Sequence, residues 1–251
     1  MKKLKSVFQL DIMCLLFLLI SHISCGQVED KSPTTGSSDK FYEYHEPSSD
    51  DGTGKYYMGR DIAQVMGHRG ASWLEREDRK EEERTDLLIQ ALELEEDNIV
   101  ADIGAGTGYF SFRISPLVPK GKVLAVDIQS EMLNMIRSKM KELQVSNIEP
   151  ILGTVEDPSL PKNSVDLVLM VDAYHEFSHP REMMQDIVAS LTPDGKVVLA
   201  EYKAEDPSIM IKPRHKMTEA QAVKEMEAVG LQLIENKQVL PKQHLMFFGK
   251  P

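Results

Sequence analysis

Residues 172–179 read Asp172-Ala-Tyr174-His175-Glu176-Phe-Ser-His179, which places five titratable side chains within eight residues. A tight turn needs no such set. An imidazole titrates near neutrality and can take a proton from an O–H or N–H nucleophile, so His175 is the first candidate for a general base, with Glu176 to orient it and Tyr174 beside it. His179 precedes Pro180 and reads equally well as a helix-entry residue. The spacing of these histidines and acids matches no zinc pattern, and no metal is assigned. A second chemical stretch lies upstream, where the apolar run Ile99–Ile103 contains Asp102 and opens into Gly104-Ala105-Gly106-Thr-Gly108. Glycines without a Cβ let the backbone turn sharply and let a ligand come close, and a following helix presents free N–H groups to it. The pattern is G-x-G-x-G rather than the dinucleotide G-x-G-x-x-G, and no Gly-Lys-Ser/Thr follows. A further apolar run, Val123–Val126, ends in Asp127, whose carboxylate can accept hydrogen bonds from two ribose hydroxyls. A nicotinamide site and a glycine turn with no ligand remain as alternatives on these residues alone.

From Ile99 onward apolar runs alternate with helical patterns, as in parallel α/β sheets. The reading is strand 99–103, helix 108–118, strand 123–126, a helix capped by Ser130, strand 148–152, strand 165–171, helix 180–191, the turn Thr192-Pro-Asp-Gly195 and strand 196–202. Thr218-Glu-Ala-Gln221 reads as a capping box, and strands are expected within 231–240 and 244–249. Ligands of such sheets bind beyond the carboxyl ends of the strands, where the glycines, Asp127 and the 172–179 cluster all fall. Lys203, Lys212, Arg214, His215 and Lys216 form a basic stretch that suits an anionic acceptor or offsets local acid.

Asp102-x-Gly104-x-Gly106-x-Gly108, Asp127 and the strand order over 99–250 together resemble the class I S-adenosylmethionine-dependent methyltransferases. The resemblance implies a three-layer α/β/α sandwich on a mostly parallel seven-stranded sheet with an antiparallel last strand. It also implies S-adenosyl-L-methionine as cofactor, held by Asp102, Gly104, Ala105, Gly106, Gly108, Asp127, Ile128, Thr154, Glu156 and Asp172, with Thr154 and Glu156 (or Asp157) near the adenine. Residues 55–97 would then be a helical lid over the site, offering Tyr57, His68, Arg69 and Trp73 to the acceptor. Its charged run 75–84 is expected to be a solvated helix face continuing through Leu92. The Asn/Asp-Pro-Pro-Tyr/Phe motif of amino-methylating nucleic-acid enzymes is missing after the fourth strand.

The formal charge is −11, and the first 25 residues carry +2, leaving −13 on the rest. Such a surface repels phosphate backbones, so nucleic acid is excluded as a partner, and a small-molecule or lipid-like methyl acceptor is expected. Lys2, Lys3 and Lys5 followed by the apolar run Ile12–Ile20 suit a signal segment, and Cys25 between Ser24 and Gly26 resembles a lipoprotein site that would tether the chain to a membrane. The cysteines are Cys14 and Cys25 alone, so residues 26–251 hold no thiol for catalysis or metal binding. Residues 26–54, rich in Ser, Thr, Gly, Asp and Pro, read as a flexible linker. Export conflicts with a cofactor made inside the cell. One rival reading is therefore an exported, non-catalytic binding module on the same fold, and another is a true start further downstream, which would leave a cytoplasmic enzyme.

Overall fold

The structure, a computed structural model, describes residues 39–251. The signal-like segment 1–25 with Cys25, and the linker up to residue 38, lie outside the described residues. Among those described, no helix is long and apolar enough to cross a membrane.

The first described residues correct the linker expectation. Residues 39–41 form a 3-10 turn leading into strand β1 (Tyr42–Tyr44), which pairs with β2 (Gly52–Tyr57), and β2 pairs with β3 (Arg60–Ala63) in a three-stranded antiparallel sheet. The β2–β3 turn carries Met58 and Gly59, both at positive φ (51° and 94°), the backbone of a two-residue hairpin whose twist matches its strands. The polar stretch 47–54 is ordered because Asp61 accepts hydrogen bonds from the Ser48 N–H (2.9 Å), the Ser48 hydroxyl (2.6 Å) and the Gly54 N–H (3.0 Å). Tyr42, Tyr57 and Ile62 bury a small apolar core beneath it.

The lid is less helical than its sequence pattern implies. Short helices α1 (Ala71–Leu74), α2 (Arg79–Glu83) and α3 (Thr85–Ala91) replace one long helix, and Arg84 breaks the run at φ 54°. Arg79 and Glu83 are buried rather than solvated.

The main sheet holds β4 (Ile99–Ile103), β5 (Lys122–Asp127), β6 (Ile148–Leu152), β7 (Val165–Val171), β8 (Leu191–Tyr202), β9 (Gln232–Asn236) and β10 (Gln243–Gly249) in the order β6-β5-β4-β7-β8-β10-β9. β4 to β8 pair in parallel, and β10 runs antiparallel to both neighbours. The helices are α4 (Ser111–Ile114), α5 (Ser130–Leu143), α6 (Pro180–Ser190) and α7 (Glu219–Glu227). Alternate residues of each central strand enter different cores. Val100, Val198 and Phe247 pack with Leu133 and Ile136 of α5, while Ala101, Val197 and Phe248 pack with Met184 and Ile187 of α6. A strand buried on both faces is apolar throughout, which is why these runs stand out in the sequence.

Four local expectations shift. α4 ends early and passes into a 3-10 turn at Ser115–Leu117 that contains Pro116, a residue without the N–H an α-helix needs. Residues 192–195 form no turn between elements but bulge out within β8, for Leu191 faces Val165 and Lys196 faces Leu167. The α5 cap position is Gln129 rather than Ser130. Thr218 does cap α7 by accepting from the Gln221 N–H at 3.1 Å, but the Gln221 side chain turns away to Glu225 (2.7 Å) instead of closing the box.

Candidate active site

The carboxyl ends of β4, β5, β7 and β8 open into one cavity of about 610 Å³, in the range of small-molecule sites. Gly104 and Gly106 form its floor at φ 73° and 55°, a left-handed backbone that a residue with a Cβ resists. A Cβ on Gly104 would also lie 2.7 Å from that of Ala173, so this glycine lets the cofactor-type loop pack against the turn after β7. Asp127 anchors the same loop. Its Oδ2 accepts from the Gly106 N–H (2.9 Å) and its Oδ1 from the Gln129 N–H (2.8 Å), and each oxygen keeps a lone pair for a ligand hydroxyl. Burial pushes this carboxyl upward despite those bonds. Ile128 lines the wall beside it.

Asp172 follows β7 at φ 50°, a left-handed conformation that Asp tolerates better than most residues with a Cβ. Its Oδ2 accepts from Gln243 Nε2 at 2.8 Å, while its buried Oδ1 has no partner among the described residues; the residue itself lines the cavity. Burial first, then the nearby Glu83 and Glu201 carboxylates, push its pKa well above the usual range. Such an oxygen suits a ligand ammonium or hydroxyl.

His175 is buried at the acceptor end, 2% exposed, and lines the cavity. Its Nδ1 lies 2.5 Å from Glu201 Oε2, and its backbone N–H reaches Glu201 Oε1 at 3.3 Å. Its Nε2 faces His215 Nδ1 at 3.0 Å. Burial opposes charging of His175, but Glu201 and then Glu176 outweigh it and raise its pKa. His215 is driven the other way, to about 4, by burial and by His175. Glu201, not Glu176, therefore orients His175. Glu176 instead accepts the Met66 N–H on Oε2 (3.1 Å) and places Oε1 3.5 Å from His215 Nδ1 and 3.9 Å from His175 Nε2. The side-chain cluster His175–Glu176–His215 is thus close enough to hold a metal ion, an arrangement that local spacing had not indicated.

Several expected site residues lie elsewhere. Tyr174 is fully buried away from the cavity, its hydroxyl donating to Glu225 Oε2 at 2.8 Å. Asp102 points into the core and accepts from the Ser111 hydroxyl at 2.6 Å, so it holds the start of α4 rather than a ligand. Ala105 binds its N–H to the Val126 carbonyl (3.0 Å), and Gly108 packs against Phe112 and Ile136. The Thr154 hydroxyl closes its own turn by accepting from the Asp157 N–H (2.9 Å), and Glu156 Oε1 sits 3.5 Å from His179 Nε2, so of this turn Val155 meets the cavity. In the lid, Trp73 lines the cavity, but Tyr57 belongs to the small sheet, and His68 and Arg69 stay outside. Residues not anticipated at the cavity are Arg79 and Glu83 from the lid, paired at 2.9 Å, with the Tyr202 hydroxyl donating to Glu83 at 2.9 Å. Their i, i+4 spacing was visible, but nothing local marked that face as buried.

Asp102 has a measurable consequence. Burial raises its pKa from 3.8 to about 6 against the Ser111 hydrogen bond. The folded state then binds the proton more tightly than the unfolded chain, so the contribution of Asp102 to stability is fully present below pH 3.8 and is lost as pH rises through about 6, by at most about 3 kcal/mol. Asp102→Asn should remove this fall. Urea unfolding across pH 4–8 is expected to show the variant gaining on the wild type as pH rises, whereas parallel curves would mean that Asp102 titrates alike in both states.

With this geometry in hand, comparison with known proteins is direct. Residues 100–195 match a family described as a methyltransferase domain. The chain is 33% identical over 122 residues to the uncharacterised methyltransferase YcgJ of Bacillus subtilis, covering 48% of this chain and 47% of that protein. It is 30% identical over 117 residues to the ubiquinone/menaquinone biosynthesis C-methyltransferase UbiE of Pseudomonas savastanoi, covering 46% of each. The chain thus spans about half the length of the curated relatives it matches. The solved structure of a SAM-dependent methyltransferase from Aquifex aeolicus superimposes with a TM-score of 0.69 at 24% identity, over 73% of this chain and 98% of that one, a likeness of fold. The crystal structure of YcgJ gives 0.52 at 27% identity, over 61% and 70%. The match to a methyltransferase domain and the SAM-dependent structural neighbour support S-adenosylmethionine as the cofactor. The cavity fits it on its own chemistry: a positive-φ glycine floor, the Asp127 oxygens for a diol, and the unpartnered Asp172 Oδ1 for an ammonium.

Proposed function

We propose that the protein transfers a methyl group from S-adenosylmethionine to a small-molecule or lipid-like acceptor. The observation that carries this reading is that one cavity joins both halves of the reaction: Gly104, Gly106 and Asp127 at one end and His175, Glu176 and His215 at the other. Methyl transfer from a sulfonium is chiefly positioning of the nucleophile in line with the methyl. The cofactor supplies that methyl when bound, and the protein's part is to hold both molecules and keep water out. Asp127 binds the ribose, and Asp172 binds the amino end of the cofactor. The histidine cluster presents the acceptor's nucleophile. An apolar acceptor is favoured because Val65, Trp73, Ile128, Val155 and Met210 all line the cavity and are all exposed, a grouping of surface apolar side chains that marks binding. A non-catalytic binding module is disfavoured, since it has no need of a buried carboxylate fixing a buried imidazole.

Calorimetric titration of the full-length protein with S-adenosylmethionine and S-adenosylhomocysteine tests the reading. Both should bind with micromolar affinity, and Gly104→Val should abolish the binding. A folded wild-type protein that binds neither would overturn the proposal.

A further inference from the structure

We propose that His175 Nε2, His215 Nδ1 and Glu176 Oε1 form a binding site for one divalent first-row transition ion, of which Zn²⁺ is the representative, open toward the cavity. Three donors converge from two separate chain segments, the turn after β7 and the 3-10 turn at Pro213–His215. Their separations are 3.0, 3.5 and 3.9 Å. Ligands about 2.1 Å from a zinc ion stand about 3 Å apart at right angles and about 3.4 Å apart at the tetrahedral angle, so two edges already match and the third closes with a small side-chain shift.

Two of the three donors, His175 and Glu176, are also held by a second partner that leaves the ligating atom facing the cluster. Glu201 takes the His175 Nδ1 hydrogen at 2.5 Å, which leaves Nε2 as the ligating nitrogen. This carboxylate behind a ligating histidine fixes the tautomer and the ring orientation in metal sites generally. The Met66 N–H occupies Glu176 Oε2 at 3.1 Å and leaves Oε1 facing the two imidazoles. Two imidazoles and one carboxylate select a transition ion over Mg²⁺ or Ca²⁺, which prefer all-oxygen shells. Three protein ligands leave the remaining positions to water or to a substrate oxygen. The cavity supplies the room, because all three residues line it.

The ion's role, though not its binding, rests on the methyltransferase reading. An acceptor hydroxyl or phenol entering the open side binds the ion through oxygen and releases its proton to water more readily. The nucleophile is thereby prepared without a free imidazole base. His175 becomes a ligand rather than the base its sequence suggests, and the acceptor class narrows to one with an oxygen nucleophile.

The test uses full-length protein freed of metal by a chelator. Zn²⁺ is titrated calorimetrically, and Co²⁺ is followed by its visible ligand-field absorption, without any methyl donor. The expected result is saturable binding of one ion per chain with a Co²⁺ spectrum of low coordination number. The affinity should fall at least tenfold in His215→Ala and in Glu176→Gln, and about 10- to 100-fold in Glu201→Gln. His215 and Glu176 are partly exposed, so these variants should retain the wild-type circular dichroism. Absence of saturable Zn²⁺ binding would overturn the proposal, as would unchanged affinity in folded His215→Ala and Glu176→Gln proteins. Ion binding without cofactor binding would instead overturn the methyltransferase reading and leave the site standing.

Discussion

Replacing Glu225 by alanine is expected to destabilise the fold by about 3–5 kcal/mol, the cost of leaving a buried charge without its partner. Glu225 is fully buried on α7 and receives Arg60 Nε at 2.7 Å and Nη2 at 2.8 Å in a two-pronged pair. The Tyr174 hydroxyl donates to the same carboxylate at 2.8 Å and Gln221 Nε2 at 2.7 Å. Burial disfavours the charged guanidinium, but Glu225 outweighs it, and the pKa of Arg60 rises. Arg60 Nη1 also donates to the His175 carbonyl at 3.0 Å. The pair therefore ties β3 and α7 to the turn that carries the histidine, and its loss should reach the site as well as the fold. The free-energy change is read from urea midpoints at constant m-value. The double variant Arg60→Met/Glu225→Leu, which removes both charges, should recover most of the loss. A single-variant loss below about 1 kcal/mol would mean that water reaches Arg60.

Asp127→Ala is expected to weaken S-adenosylmethionine binding by about 1.5–3 kcal/mol, the range for hydrogen bonds to a charged group, or about 10- to 150-fold. Two effects contribute. The ligand loses its carboxylate acceptor, and the loop loses the bond from the Gly106 N–H that fixes its shape. Asp127→Asn separates them, because its amide oxygen can still accept one backbone N–H while the charge is gone. Calorimetry on both variants, with thermal unfolding alongside, should rank wild type above Asn above Ala in affinity. Wild-type affinity in a folded Asp127→Ala protein would remove Asp127 from the cofactor site.

Some of this molecule is written locally. A strand covered by helices on both faces is mostly apolar, so β4, β5 and β7 appear in the sequence as apolar runs, broken only by Asp102 and Asp166 within them, with nearly their final boundaries. Turns at positive φ favour glycine, so the loop with Gly104, Gly106 and Gly108 after β4 announces itself, and the acid Asp127 stands at the visible end of the apolar run of β5. Placing the 172–179 cluster at a ligand crevice required only the rule that parallel sheets bind beyond their carboxyl ends.

Which side chains face that crevice is a different matter. Asp102 lies two residues before a cavity glycine, yet it serves the core, because its carboxylate is buried under α4 and takes the Ser111 hydroxyl. Arg79 and Glu83 look like a solvated pair until Tyr202 and the rings of Tyr109 and Phe110 cover them. The Ser- and Gly-rich stretch before β2 looks like a linker until Asp61 receives its N–H groups. The partners of His175 are Glu201, 26 residues on, and His215, 40 residues on. The sequence by itself therefore determined the sheet, the glycine loop and the end of the sheet that binds. Only the tertiary structure decided the chemistry, because burial and long-range pairing set the charge, tautomer and partners of each group and leave no periodic trace along the chain.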